Sequence, residues 1–286
     1  MVFPVVIFAA PKISKTFPSK TVITRTDPTE IESAIGSRAY VVMDRLTGKI
    51  LTEKNENLVW PIASTTKLMT AQIVLSKNLS PKKKQAVLKE DDVGGAKLYV
   101  KSGDTFTIDD LFYAMLIGSA NNAANALARA SGLTRDAFVA RMNARAHELG
   151  LTHTVYVDPS GIDIANVSTP IELAKIANTA FANPQVKKYT TTPVRIIRVA
   201  NTGATKKIKS TNWMLTRPQF RTASVTGGKT GYLEESGWNF VTTLRPKSAD
   251  TKRELVIVIF GADSRAQSFD DAKKLSEWAW KSYEWK

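Results

Sequence analysis

PIASTTKLMTA, residues 61–71, places a serine at the head of a segment that turns apolar four residues later. Ser64 and Lys67 are spaced i and i+3, so on a helix they share a face. One reading is a helix cap followed by a solvated first turn. The other is a nucleophile with its own base. A serine at a helix start sits among unpaired backbone N–H groups at the positive end of the dipole, which favours an oxyanion. It still needs a base to take its proton. Lys67 qualifies only when neutral, through burial or a nearby cation. The spacing alone does not choose. Ser80 and Lys83 in LSPKKK repeat it, and there a capped polar turn is the simpler reading.

Outward from this stretch, the chain alternates between two characters. RAYVVMDRLTGKILTE (38–53) reads as a hairpin around Thr47-Gly48. The middle is helical: 107–119 and 133–151 each carry a Thr cap, 121–132 is Ala-rich and ends at Gly132, and 169–182 has Pro in its first turn. Segments 192–200, 237–246 and 253–262 are β-rich, and a final helix follows. Strands at both ends with helices between predict an α/β (α+β) fold. Its antiparallel sheet is built from distant segments, 31–63 and 190–286, and flanked by helices. Residues 64–189 form an all-helical insertion. Residues 1–30 read as an apolar stretch followed by a linker.

Two further pieces carry chemistry. In LIGSANNAANALA, Ser119 and Asn121 fall where one apolar helix ends and the next begins. They are either caps or a hydroxyl and an amide aimed into a cleft. STN at 210–212 has the same S-x-N spacing. In VTGGKTGYLEESGWNFV, Lys229-Thr230-Gly231 follows Gly227 and Gly228. This is either a glycine turn entering an edge strand or a strand against which a ligand closely approaches.

Composition narrows the classes. The 286 residues are 43% hydrophobic and 23% charged, an ordinary globular balance. The absence of cysteine excludes disulfide scaffolds, thiolate metal sites and cysteine nucleophiles. The net charge of +14 suits anionic surroundings, but no nucleic-acid-binding motif accompanies the lysine pairs, so no nucleic-acid partner is expected. The apolar residues 2–10 are too short to span a bilayer and lack a basic leader, which reads as an incomplete signal or anchor.

S-x-x-K, S-x-N and K-T-G in this order resemble the signature of penicillin-binding proteins and serine β-lactamases. With the blocks WPIASTTKLMTA, LYVKSGDTFTIDDLFYAMLIGSANNAA, DPSGID, STNWMLTR and GGKTGYLEESGWNFV, the chain from about Ala39 to Tyr283 resembles the low-molecular-mass penicillin-binding proteins of serine D-alanyl-D-alanine carboxypeptidase type. The resemblance implies that Ser64 is acylated and Lys67 takes its proton. It implies that Lys229 keeps Lys67 partly neutral and helps hold the substrate carboxylate. Ser119 would pass a proton to the leaving amine, and Asn121 would anchor Lys67 and the substrate amide. Thr230 and Gly231 belong to the substrate-binding strand, with Thr230 on the terminal carboxylate. The backbone N–H groups of Ser64 and Tyr232 would form the oxyanion hole. The implied substrate is a peptidoglycan stem peptide ending in D-Ala-D-Ala, with β-lactams as covalent inhibitors and no cofactor or metal. The implied location is extracytoplasmic, with peripheral association with wall or membrane. A monomer is expected.

The chain departs from the family pattern in places. Ala120 stands where Gly or Asp is frequent, and Asn122 where Asp is. An arginine commonly precedes the last helix to reach the carboxylate; here Arg265 is available, while Ser268 precedes Phe269. The C-terminal β-domain and amphipathic anchor of many relatives are not expected, and Trp278, Trp280 and Trp285 read as packing residues. Two other readings stay open: a β-lactamase, although neither Glu148 nor Glu172 sits in a Glu-x-x-x-Asn element, and an inactive wall-binding homologue. His147 and His153, six apart, make a poor metal pair.

Overall fold

A computed structural model describes residues 21–248 and 252–286. The chain enters through a short strand β1 (Ile23–Arg25) and runs through the hairpin β2 (Ala39–Asp44) and β3 (Ile50–Lys54), then the two-residue β4 (Trp60–Pro61). The helical part follows. Helix α1 (Lys67–Leu75) leads to the paired β5 (Lys84–Ala86) and β6 (Thr105–Thr107), then α2 (Ile108–Leu116), α3 (Asn121–Ala130) and α4 (Arg135–Glu148). After β7 (Val167–Ser168) come α5 (Pro170–Ala182) and α6 (Pro184–Thr190), the hairpin β8 (Val194–Arg198) and β9 (Thr205–Lys209), and the short α7 (Trp213–Thr216). Strands β10 (Ser224–Leu233), β11 (Gly237–Arg245) and β12 (Leu255–Ala262), helix α8 (Arg265–Ser282) and β13 (Tyr283–Trp285) close the chain.

The predicted antiparallel sheet is present, in the order β10-β11-β12-β2-β3. It explains why LVIVIFGA shows no polar alternation: both faces are covered. Tyr40, Val42, Ile257, Ile259 and Phe240 pack towards α8 with Phe269 and Leu275. Val41, Met43, Val256, Val258 and Val241 pack towards the helical part with Leu68, Leu173 and Phe181. Each such aliphatic residue, fully buried, contributes roughly 1.5–3 kcal/mol.

Thr107 and Thr134 accept from Asp110 N and Ala137 N, capping α2 and α4 as expected, and Thr169, not singled out in the sequence, caps α5 by accepting from Glu172 N. Two expectations change. The strand expected over 192–200 does not join the main sheet. As β8 it pairs with β9 alone, and Ile197 and Val199 bury into the helical core. Residues 21–30 are not a free linker: β1 pairs antiparallel with β13, and Trp278 Nε1 donates to Thr29 O at 2.7 Å. Of the two readings of the glycines 227 and 228, the strand holds: both lie inside β10. The apolar stretch 2–10 lies outside the described residues. The three tryptophans do pack: Trp278 is 8% exposed against Tyr283, and Trp280 and Trp285 lie against the same core.

Candidate active site

Ser64 does not cap a helix. It sits in a 3-10 turn, Ala63–Thr66, with α1 starting only at Lys67, and no side chain caps either N-terminus. The hydroxyl is therefore free, and Lys67 Nζ lies 2.7 Å from it. Two departures from ordinary backbone hold this corner. Ala63 has φ 48°, a left-handed value that costs a non-glycine residue energy. Gly161 fits directly beneath it; a Cβ there would stand 2.0 Å from Ala63 O.

Lys67 is fully buried and makes three contacts: Ser64 Oγ, Asn121 Oδ1 at 2.7 Å and Ser160 O at 2.6 Å. Asn121 Nδ2 donates to Gly94 O, which fixes the amide orientation and turns Oδ1 to the lysine. Ser160 O is aimed by Asp158, whose carboxylate accepts from Ser160 N, Ser160 Oγ, Gly161 N, Asp163 N and Asn166 Nδ2. Burial pushes the Asp158 carboxyl up, but these hydrogen bonds, led by those of Ser160, outweigh it and hold it below its usual value. Burial lowers Lys67 to about 7, and the Asp158 charge opposes that fall. Burial is therefore the leading cause of a near-neutral Lys67.

Lys229 is the second buried amine of the site. It is 1% exposed, and burial first, then Lys67 and Arg265, push it well below its usual value. Its Nζ donates to Ser119 Oγ at 2.8 Å and Thr230 O at 2.7 Å. Ser119 is reached because the α2–α3 junction is kinked into φ 61° there. Neither Ser119 nor Asn121 caps α3, whose N-cap is Ala120 without a side-chain bond. Of the four described non-glycine residues with positive φ, two are asparagines, which tolerate it; the others, Ala63 and Ser119, both border the cleft.

Strand β10 closes the other side as a free edge of the sheet, packed on the 63–66 turn. Gly231 permits this approach: a Cβ there would meet Ile62 O at 2.9 Å and Ser64 N at 3.3 Å. The Tyr232 amide follows directly. The resulting cleft is about 460 Å³ and is lined by Ser64, Ser119, Asn121, Thr230, Tyr232 and Arg265. All the residues the motifs single out therefore converge on one place.

These convergent motifs match a known family over residues 24–264, that of the D-alanyl-D-alanine carboxypeptidases. The chain belongs to this family. A D-alanyl-D-alanine endopeptidase of Haemophilus influenzae is 36% identical over 208 residues, 72% of this chain and 69% of the relative. Another, of Pseudomonas aeruginosa, is 32% identical over 250 residues, 87% of this chain and 78% of the relative. The solved DD-transpeptidase of Streptomyces K15 superposes with a TM-score of 0.78 at 27% identity, covering 90% of this chain and 99% of that one. The family supports a serine peptidase acting at D-alanyl linkages.

Sequence reasoning left two contributors of this D-alanyl-D-alanine carboxypeptidase fold without a role. Thr211 Oγ1 lies 2.7 Å from Thr230 Oγ1 and lines the cleft. It belongs to the STN whose spacing imitates S-x-N; Asn212 there only caps α7. Ser160, in DPSGID, contributes through its carbonyl, which no side-chain pattern reports. Arg265, at the first position of α8, faces the cleft, stacked 4.7 Å from Trp213 and 5.6 Å from Trp238. One nitrogen donates to Thr211 O, while its buried Nε has no partner. Asn122 takes a structural part, exchanging hydrogen bonds with Leu98 N and O. Among the described residues no cluster of His, Cys, Asp or Glu suits a metal, and no helix is long and apolar enough to cross a membrane.

Proposed function

We propose that the protein is a serine DD-peptidase that removes the terminal D-alanine from peptidoglycan stem peptides through an acyl-enzyme on Ser64. The observation that carries this reading is the set of partners around Lys67. Two of its three neighbours, Asn121 Oδ1 and Ser160 O, can only accept. A neutral amine has two N–H donors and one lone pair. With both donors spent, the lone pair is left for the Ser64 hydroxyl.

In this mechanism Lys67 takes the Ser64 proton as Oγ attacks the penultimate carbonyl. The N–H groups of Ser64 and Tyr232 hold the oxyanion; removing one such donor typically costs about 10²–10³ in rate. Ser119 accepts from Lys229, so its own O–H points away and is available to the leaving amine. The Thr211 and Thr230 hydroxyls, with Lys229 and Arg265, offer hydrogen bonds and positive charge to the terminal carboxylate. Water then hydrolyses the acyl-enzyme. Such a substrate places the protein outside the cytoplasm.

β-Lactams acylate the same serine in this reading. Among the described residues, the only carboxylate lining the cleft is Glu234, an exposed residue beyond β10. Among the described residues no buried carboxylate lines the cleft beside Ser64 to activate water, which favours a long-lived penicillin adduct over a β-lactamase. Cleavage of cross-links is the second activity, favoured by the endopeptidase names of the two curated relatives. Fluorescent penicillin should label the wild type and not Ser64→Ala. Mass spectrometry of products from a D-Ala-D-Ala pentapeptide and from a cross-linked dimer then separates the two activities. Absence of label, or label persisting without Ser64, rejects the proposal.

A further inference from the structure

The strip 94–98 divides the catalytic cleft from a second cavity. Asn121 holds its cleft side, through Gly94 O and Ala96 O. Asn122, the next residue, holds its other side through both backbone groups of Leu98. Beyond Leu98 lies a groove of about 700 Å³, larger than the cleft itself, between the 87–104 segment and the β8–β9 hairpin. Its floor is apolar: Val87, Leu98 and Val199 are each at most 5% exposed. Its rim carries Lys89, Lys101 and Lys206, and Tyr99 stands 76% exposed beside them.

The charge there is unbalanced. Four lysines and two carboxylates line the groove. Asp92 is engaged by Lys97 at 2.7 Å, while Asp104 accepts from the backbone Lys101 N at 3.0 Å and keeps its charge. Lys89, Lys101 and Lys206 have no carboxylate ion-pair partner among the described residues. Three free cations over an apolar floor suit a ligand with several carboxylates and small apolar side chains. A groove of this volume takes a drug-sized or short-peptide ligand. It also adjoins the cleft across a strip one chain thick. We propose that this groove binds a second, carboxylate-bearing peptide strand, covalently joined to the strand that Ser64 attacks.

The inference rests on the DD-peptidase reading, and deepens it: a cross-linked peptide pair would be a substrate alongside the free stem, and only the pair would use the groove. A generic polyanion is the competing occupant, and the apolar floor and shared wall with the cleft argue against it.

The test combines Lys89→Ala, Lys101→Ala and Lys206→Ala in one variant, none of them lining the cleft. KM and kcat are measured for an N-acylated D-Ala-D-Ala tripeptide and for a soluble cross-linked muropeptide dimer. Dimer binding is measured by calorimetry in a Ser64→Ala background, with polyphosphate as competitor. Penicillin acylation and tripeptide kcat/KM should stay within about twofold, reporting an intact fold and cleft. KM for the dimer should rise about tenfold with kcat unchanged, the size expected from losing three exposed ion pairs, and calorimetry should show the same loss. An unchanged dimer KM, equal weakening of both substrates, or displacement of the dimer by polyphosphate at equal charge concentration overturns the proposal. Failure of the DD-peptidase reading shows separately, as no penicillin label on the wild type, and the calorimetric arm still decides the groove.

Discussion

Lys67 is a lysine enclosed by acceptors, and its ionisation governs how the site responds to pH. With the amine lowered to about 7 by burial, acylation of Ser64 should rise with pH through that value and fall about tenfold per unit below it. The rate of penicillin acylation against pH checks this. Replacing Lys67 by Ala should cost about 10²–10⁴ in the same rate. The sign for stability follows from linkage. The folded state releases its Lys67 proton near pH 7, whereas the unfolded chain keeps it to about 10.4. The unfolded state binds more protons across that window, so this residue makes stability rise with pH from about 7 to 10. Thermal unfolding at pH 7 and 9 should show a slope that is smaller in Lys67→Ala. Asp158 offers an independent check. Its charge raises Lys67, so Asp158→Asn should move the acid limb of the acylation profile below its wild-type position.

At the scale of elements, the site depends on how closely β10 and the 63–66 turn approach. Gly231→Ala inserts a Cβ at 2.9 Å from Ile62 O and 3.3 Å from Ser64 N, so strand and turn must separate by a few tenths of an ångström. The expected outcome is a large fall in acylation with little loss of stability, since a displacement of about 1 Å can cost 10²-fold in rate. Gly161→Ala is the converse: its Cβ overlaps Ala63 O, and φ +75° adds backbone strain. Here denaturant unfolding should show a loss of about 1–3 kcal/mol as well. Elements were unequally legible. Thr caps marked α2 and α4, and a first-turn proline marked α5, because those signals are local. The separation of β8–β9 from the main sheet was not legible, because a half-apolar strand reads the same whether it pairs with a sheet or with its own hairpin partner. The 3-10 turn before α1 was hidden for a related reason. Its backbone packs against Gly161, about a hundred positions away, a contact that no local pattern reports.

Over the whole molecule, the cleft lies on the seam between sheet and helical part. Lys229 and Thr230 come from an edge strand of the sheet, while Lys67, Ser119 and Asn121 come from the helices and their junctions. A covalent ligand on Ser64 that also contacts β10 ties the two together and exists only in the folded state. Benzylpenicillin should therefore raise the melting temperature of the wild type and leave that of Ser64→Ala unchanged, with about 2–4 °C for each kcal/mol gained.

The sequence by itself determined the chemical groups: a serine and lysine one turn apart, a second serine and amide, a second lysine on a glycine-flanked strand. It also determined the apolar runs that demand a sheet covered on both faces. Only the tertiary structure decided that Ser64 is free rather than a cap, that burial lowers the Lys67 amine towards neutrality, and that Thr211 and the Ser160 carbonyl join the site. The physical reason is range. Spacing and capping act over a few residues, whereas desolvation, close backbone approach and carbonyl orientation depend on groups brought together from distant parts of the chain.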